Sequence, residues 1–228
     1  MLSICIPTHD EAPTIGVLLW RIRTLFQEYP RDYEVVVYDD GSTDATAEVL
    51  EPYAKVLPLT LLGSRERRGY AAAIDALCRH VARHTRYPRR DALILMQGDF
   101  TDRPEHIPEL VKRFEGGADV VVAEHPPREA DPVAVRRLRQ LSPWILRPFV
   151  RVEGVADLTS TMRLFRVAVL RDLIRQRGDA PIATEAGWQA NVELLLGAVP
   201  FARRVETVAL DQRFDVRPRA KLARDPRV

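Results

Sequence analysis

The chain has 228 residues, of which 46% are hydrophobic and 29% charged, and its net charge is +2. It is long and apolar enough for one sizeable α/β core, and too nearly neutral to point to a nucleic-acid partner. Two cysteines, Cys5 and Cys78, are too few for a disulfide framework, and no apolar run approaches the ~20 residues that span a bilayer. Met1 leads straight into a strand-like run without the basic start of a leader, so a cytoplasmic setting is expected, with at most peripheral contact with the inner membrane face. Arginine supplies nearly all the basic residues; Lys55, Lys112 and Lys221 are the only lysines.

In chain order, Leu2 to Pro7 reads as a strand and Ala12 to Tyr29 as a helix, with apolar residues at helical spacing and Pro13 in the first turn. Tyr33 to Tyr38 is a second strand, and Thr43 or Asp44 is placed to cap a helix through Tyr53. Val56 to Leu62 is a third strand, weakened by Pro58, and Gly69 to His84 a helix. Residues 92–97 form a short apolar strand, followed by a helix from Pro104 to Phe114 and a strand from Asp119 to Ala123. This alternation predicts a mostly parallel sheet flanked by helices. Ala134 to Phe149 then reads as an arginine-rich amphipathic helix. Asp157 to Phe165 leads into a strand, helices follow over Arg166–Arg177 and Ala186–Leu196, and Phe201–Leu210 is strand-like. The tail from Arg213 is basic.

Polar clusters follow three of these strands: Thr8 to Glu11, Asp39 to Asp44, and Gln97 to Asp102. In a parallel sheet every carboxyl end lies on one edge, where ligands of open α/β sheets bind. The three clusters should therefore meet in one cleft. Carboxylates there suit a hard cation such as Mg²⁺, which is held by one or two of them plus substrate phosphates. Asp102 alone is equally readable as a helix cap. No Gly-rich phosphate loop is present, so side chains must grip a nucleotide.

These residues carry a resemblance. Ile4 to Glu11 resembles the "IPTYNE" opening of family 2 glycosyltransferases, and Val35 to Asp44 their "VVVDDGSxD" segment. Gln97-Gly98-Asp99 stands where they have Asp-x-Asp. Asp157 to Phe165 is similar to the "DLTGSFRLY" segment of the polyprenyl-phosphate sugar synthases, the dolichyl-phosphate mannose synthase group. Gly187-Trp188 followed by Glu193 resembles their "GYxFxxE" helix. His125 replaces the Arg of their "SGxR" strand end. Of their "RxxGxSK" segment Lys221 remains, Asp215 standing at the ungapped arginine position with Arg213, Arg217 and Arg219 nearby.

The resemblance implies a GT-A nucleotide-sugar-binding fold over residues 1–222, with a nucleotide-binding half (1–123), an acceptor-side half (124–222) and a basic tail (223–228). It implies an inverting glycosyltransferase that takes its sugar from a nucleotide-diphosphate sugar, GDP-mannose or UDP-hexose. The acceptor would be a polyprenyl phosphate or a soluble hydroxyl compound. Pro7, His9, Glu11, Asp39, Asp40, Gln97 and Lys221 would bind the nucleotide. Asp99, with Gln97, would hold Mg²⁺ or Mn²⁺, and Arg163 would face a phosphate. An ionised phosphate acceptor needs no general base; a hydroxyl does, and Glu193, Glu185 and Asp157 are the candidates. The alternative is a catalytically impaired member that acts as a nucleotide-sugar-binding module, favoured by Gln97 and His125. A homo-oligomer is left open.

Overall fold

The computed structural model of the chain describes residues 1–125, 137, 152–185 and 187–211. Strand β1 (Leu2–Thr8) is buried at every position, as a strand covered on both faces must be. Its alternate side chains serve two cores. Leu2, Ile4 and Ile6 pack with Ile15, Leu18, Leu19 and Ile22 of helix α1 (Ala12–Glu28), Leu50 of α2 (Thr46–Tyr53) and Leu110 of α4 (Ile107–Glu115). Cys5 packs on the opposite face with Ile74, Leu77 and Cys78 of α3 (Tyr70–His84). Leu170 and Leu173 of α5 (Val167–Arg177) and Leu194 and Leu195 of α6 (Gln189–Ala198) complete that second core.

β1 lies between β2 (Tyr33–Asp40) and β4 (Ala92–Leu95), parallel to both, with Thr8 opposite Asp39 and Cys5 opposite Leu95. The seven-stranded sheet has the order β3-β2-β1-β4-β6-β5-β7, where β3 is Leu59–Ser64, β5 Val120–Glu124, β6 Arg163–Arg166 and β7 Val205–Ala209. β6 alone runs antiparallel, between β4 and β5. Arg163 begins it opposite Leu95 and Val122. A strand that starts at the edge where β5 has ended can only run back across the sheet, so β6 delivers its first residue to the carboxyl edge of its neighbours.

The elements follow the sequence expectation with local shifts at their ends: β2 runs on to Asp40, β4 stops at Leu95, short of residue 97, and α6 starts at Gln189. β3 starts after Pro58, which has no N–H to give a ladder. Pro104–His106 is a single 3₁₀ turn before α4 rather than the start of one helix. Another 3₁₀ turn, Val199–Phe201, shortens β7 at its start. The expected arginine-rich helix at 134–149, apart from Arg137, and the basic tail with Lys221 lie outside the described residues.

Gly41, just past β2, has φ +64°, and a Cβ there would lie 2.8 Å from the Arg67 amide nitrogen and 2.9 Å from the Glu66 carbonyl carbon. Both contacts are backbone, so neither can swing aside. Gly41→Ala is expected to lower the unfolding free energy by at least ~2 kcal/mol, read by chemical denaturation.

Candidate functional site

The first two polar clusters are bonded to each other. Asp10 takes the left-handed conformation (φ 53°) at the turn after β1. Its Oδ1 accepts from the Thr43 amide at 2.7 Å, and its own amide donates to Ser42 Oγ at 3.0 Å. The Glu11 amide donates to Thr46 Oγ1 at 2.9 Å, and Glu11 Oε2 accepts from Thr14 Oγ1 at 2.8 Å. His9 Nδ1 lies 3.0 Å from the Asp40 carbonyl oxygen. The third cluster sits against the first: a Cβ on Gly98 would lie 3.5 Å from the Pro7 carbonyl oxygen and 3.6 Å from Glu11 Cγ. The convergence expected of a parallel sheet is present at one edge.

The two adjacent aspartates of β2 do different work. Asp39 Oδ1 accepts from the Ser42 amide at 3.0 Å and from Ser42 Oγ at 2.5 Å, which shapes the turn while the residue stays half-buried. Asp40 is buried, and its two oxygens accept from the amides of Arg68 at 2.7 Å and Gly69 at 2.8 Å. Asp40, expected among the nucleotide-binding residues, thus fastens the loop that opens α3. The helix expected to be capped by Thr43 or Asp44 starts at Thr46, whose amide donates to Asp44 Oδ1 at 3.0 Å.

Gln97 to Asp102 form a buried loop beyond β4. Phe100 has φ 66°, a conformation that costs a side-chain-bearing residue roughly 1–2 kcal/mol. Asp102 holds the loop closed: its Oδ2 accepts from the Gln97 amide at 3.0 Å and from Thr161 Oγ1 at 2.8 Å. This replaces the helix-cap reading of Asp102, since no side chain caps the turn at Pro104. Asp99 Oδ1 accepts from the Thr101 amide at 3.0 Å. Gln97 Nε2 donates to the Tyr70 hydroxyl at 2.8 Å.

On the acceptor side, Arg163 is fully buried, and its two terminal nitrogens donate to the carbonyls of Asn191 and Leu158. Burial pushes its pKa down to about 10, with Asp157 and Tyr70 pulling the other way. A guanidinium so enclosed ties the 158 loop to α6 from behind the site; the expected phosphate contact would need it exposed. Asp157 Oδ1 accepts from the Thr159 amide at 2.9 Å and its hydroxyl at 2.8 Å. Glu193 Oε2 accepts from the amides of Thr184 at 2.6 Å and Glu185 at 3.0 Å. Glu185 itself is exposed. His125 is buried, with Nδ1 2.9 Å from the Leu210 carbonyl oxygen, so that nitrogen carries the proton and donates.

For a cation, the residues present fit a partial site. Among the described residues no three His, Cys, Asp or Glu side chains form a group that would hold a metal ion. Asp99 contributes one carboxylate, and Thr101 Oγ1, two residues on, is buried without a hydrogen-bond partner. A hard cation that arrives with a diphosphate needs little more from the protein. Sequence reasoning missed Tyr70, Asn191, Thr161 and His106. Asn191 left a signal, a polar residue on the same face of its helix as Leu194 and Leu195.

A family model described as "Glycosyl transferase family 2" matches residues 3–174. An undecaprenyl-phosphate 4-deoxy-4-formamido-L-arabinose transferase of Pseudomonas fluorescens (strain Pf0-1) is 35% identical over 122 residues, which is 53% of this chain and 34% of that protein. The transferase of the same name from Pseudomonas aeruginosa (strain LESB58) is 29% identical over 192 residues, 78% of this chain and 50% of that protein. The chain thus spans a third to a half of the length of these curated relatives. Among solved structures, glucosyl-3-phosphoglycerate synthase from Mycobacterium tuberculosis, in complex with Mn²⁺, UDP-glucose and phosphoglyceric acid, matches with a TM-score of 0.65 and 21% identity, over 97% of this chain and 74% of that one. A mannosyltransferase from Pyrobaculum calidifontis with GDP-Man and Mn²⁺ matches at 0.61 and 24%, over 91% and 54%. These likenesses establish the GT-A fold that the sequence motifs implied.

Two outcomes follow from the geometry. Asp40→Ala removes two hydrogen bonds from a buried carboxylate and should destabilise the protein by about 2–4 kcal/mol in chemical denaturation. His106 has a buried, unpartnered Nδ1. Burial, then Arg103 and His125, hold its pKa below the ordinary histidine value, against the pull of Asp211 and Asp102. The unfolded chain therefore binds a proton near pH ~6.5 that the folded state refuses, so stability falls as pH drops through that value. His106→Gln should reduce the slope of stability between pH ~7.5 and ~5.5.

Proposed function

The chain belongs to glycosyl transferase family 2, and from that membership we propose that it moves a sugar from a nucleotide-diphosphate sugar, GDP-mannose or UDP-hexose, to a polyprenyl phosphate. The observation that carries this reading is the convergence of Asp39, His9, Gln97 and Asp99 at one sheet edge. Asp39, in its Ser42 turn, is placed to take the nucleoside, with Pro7, His9 and Glu11 around it. Asp99 and Gln97 stand where the diphosphate would lie. They are the residues that would hold Mg²⁺ or Mn²⁺, which when bound neutralises charge on the departing diphosphate.

The acceptor side supports a phosphate over a hydroxyl. A hydroxyl must lose its proton to a base; Glu193 is committed to two backbone amides and Asp157 to its own turn, which leaves the exposed Glu185 of the three candidates. An acceptor phosphate is ionised beforehand and can attack the anomeric carbon directly, inverting it as the sugar–diphosphate bond breaks. The names of the Pseudomonas relatives, which specify undecaprenyl phosphate, point the same way. Among the described residues no helix is long and apolar enough to cross a membrane, so in this reading a lipid acceptor is met at the membrane surface. The nucleotide-binding and acceptor-side halves act in it together over the described residues, with β6 of the second half paired between β4 and β5.

The neutral Gln97 favours a second reading, a member that binds nucleotide sugars without turning them over. Donor turnover by the wild type separates the two, and Asp99→Ala then tests the site. Under the transferase reading it should lower turnover of the donor with polyprenyl phosphate by roughly 100-fold or more while the fold survives. A wild-type chain that binds a nucleotide sugar and transfers nothing would leave the binding module.

A further inference from the structure

The Gln97 amide is one end of a hydrogen-bond chain that links the loop beyond β4 to α6. Its Nε2 donates to the Tyr70 hydroxyl at 2.8 Å, and that hydroxyl donates to Asn191 Oδ1 at 3.0 Å. Tyr70 is the first residue of α3, whose opening loop Asp40 fastens. Asn191 is fully buried in α6, and Arg163 grips its backbone carbonyl. The loop beyond β4, the start of α3 and α6 thus meet at one phenol oxygen.

A phenol has a single proton. Placed between two primary amides, it receives a hydrogen bond from one and gives its own to the other. The senses of the two amides are therefore linked: while Gln97 offers nitrogen to Tyr70, Asn191 must offer oxygen. The terminal atoms of an amide diverge from its carbon, so Gln97 then turns Oε1 away from Tyr70. With the opposite sense it would turn its NH₂ that way. A neutral oxygen attracts a cation less than a carboxylate does, but one held in place beforehand loses less freedom when the ligand arrives.

We infer that Tyr70 is a positioning residue whose hydroxyl, backed by Asn191, holds the Gln97 amide with its carbonyl oxygen turned to the donor side, as a neutral oxygen ligand for the donor's cation or a ribose hydroxyl. The inference rests on the donor site proposed above and adds Tyr70 and Asn191 to it. It also gives the buried Asn191 a role at a distance: α6 carries the acceptor-side Glu193, so the same chain joins the donor and acceptor halves.

The test is calorimetric titration of the full chain with UDP and with GDP, each with and without Mn²⁺, on the wild type, Tyr70→Phe, Asn191→Asp and Asn191→Leu. Thermal melting of each variant controls for folding. Tyr70→Phe and Asn191→Leu break the chain and should weaken nucleotide binding roughly tenfold. An effect confined to the Mn²⁺ titrations assigns Oε1 to the cation, and an equal effect without metal assigns it to a ribose hydroxyl. Asn191→Asp keeps an oxygen that can accept the Tyr70 proton, so it preserves the inferred sense and should weaken binding less than about threefold. The inference is overturned if folded Tyr70→Phe binds within about twofold of wild type, or if Asn191→Asp loses as much as Asn191→Leu. Should Tyr70→Phe fail to fold, the two Asn191 variants decide. A wild type that binds neither nucleotide overturns the donor-site reading and this inference together; tight wild-type binding with indifferent variants overturns the inference alone.

Discussion

Parallel pairing of β1 with β2 and β4 is the constraint on which the rest of the molecule depends. Parallel neighbours cannot be joined by a hairpin, so each connection must cross a face of the sheet and every strand then ends at the same edge. The register sets Thr8 beside Asp39 and Cys5 beside Leu95. Residue 43 consequently meets residue 10, and residue 98 meets residues 7 and 11, though these are far apart in sequence. A slip of one residue in either ladder would reverse the two faces of β1, exposing one core to the helices of the other.

Holding such an edge together requires charge to be buried, and the chain manages this with carboxylates bonded mainly to amides and hydroxyls. Asp10, Asp40 and Glu193 each accept from backbone N–H groups of another segment, and Asp102 accepts from the Gln97 amide across its own loop and from the Thr161 hydroxyl. Each ties a loop at the edge to the framework, whereas Asp39 Oδ1 and Asp99 Oδ1 accept from amides two or three residues further along their own turns. Arg163 is the cationic counterpart, fully buried and shared between two carbonyls. A site built this way is rigid before any ligand arrives, which suits the transfer of a group between two bound substrates.

Much of this was legible in the sequence because its signals are local. Val35 to Tyr38 and Leu93 to Met96 are apolar runs of strand length, and the polar clusters after them announce a functional edge through topology alone. The family motifs then named the fold, which the matching model and the solved relatives bear out. What was not legible is the use each carboxylate finds. Sequence spacing cannot tell Asp39 from Asp40, because which of them meets the Arg68 and Gly69 amides depends on the strand's facing and on a loop thirty residues away. The same holds for Arg163, whose motif position suggested a phosphate and whose burial assigns it to the framework. β6 escaped for a related reason: its direction is decided by where the preceding connection ends, and four residues of strand carry no sign of direction.

In the function proposed above, the carboxyl edge of β1, β2 and β4 is a nucleotide-sugar donor site with Asp99 at its charged centre. Crystals of the chain grown with a nucleoside diphosphate and Mn²⁺, recorded at a wavelength where manganese scatters anomalously, test it most directly. The base is expected beside Asp39, the diphosphate over the Gln97–Asp102 loop, and a manganese peak within bonding distance of an Asp99 oxygen. A nucleotide seated elsewhere, or a manganese peak away from Asp99, would contradict it.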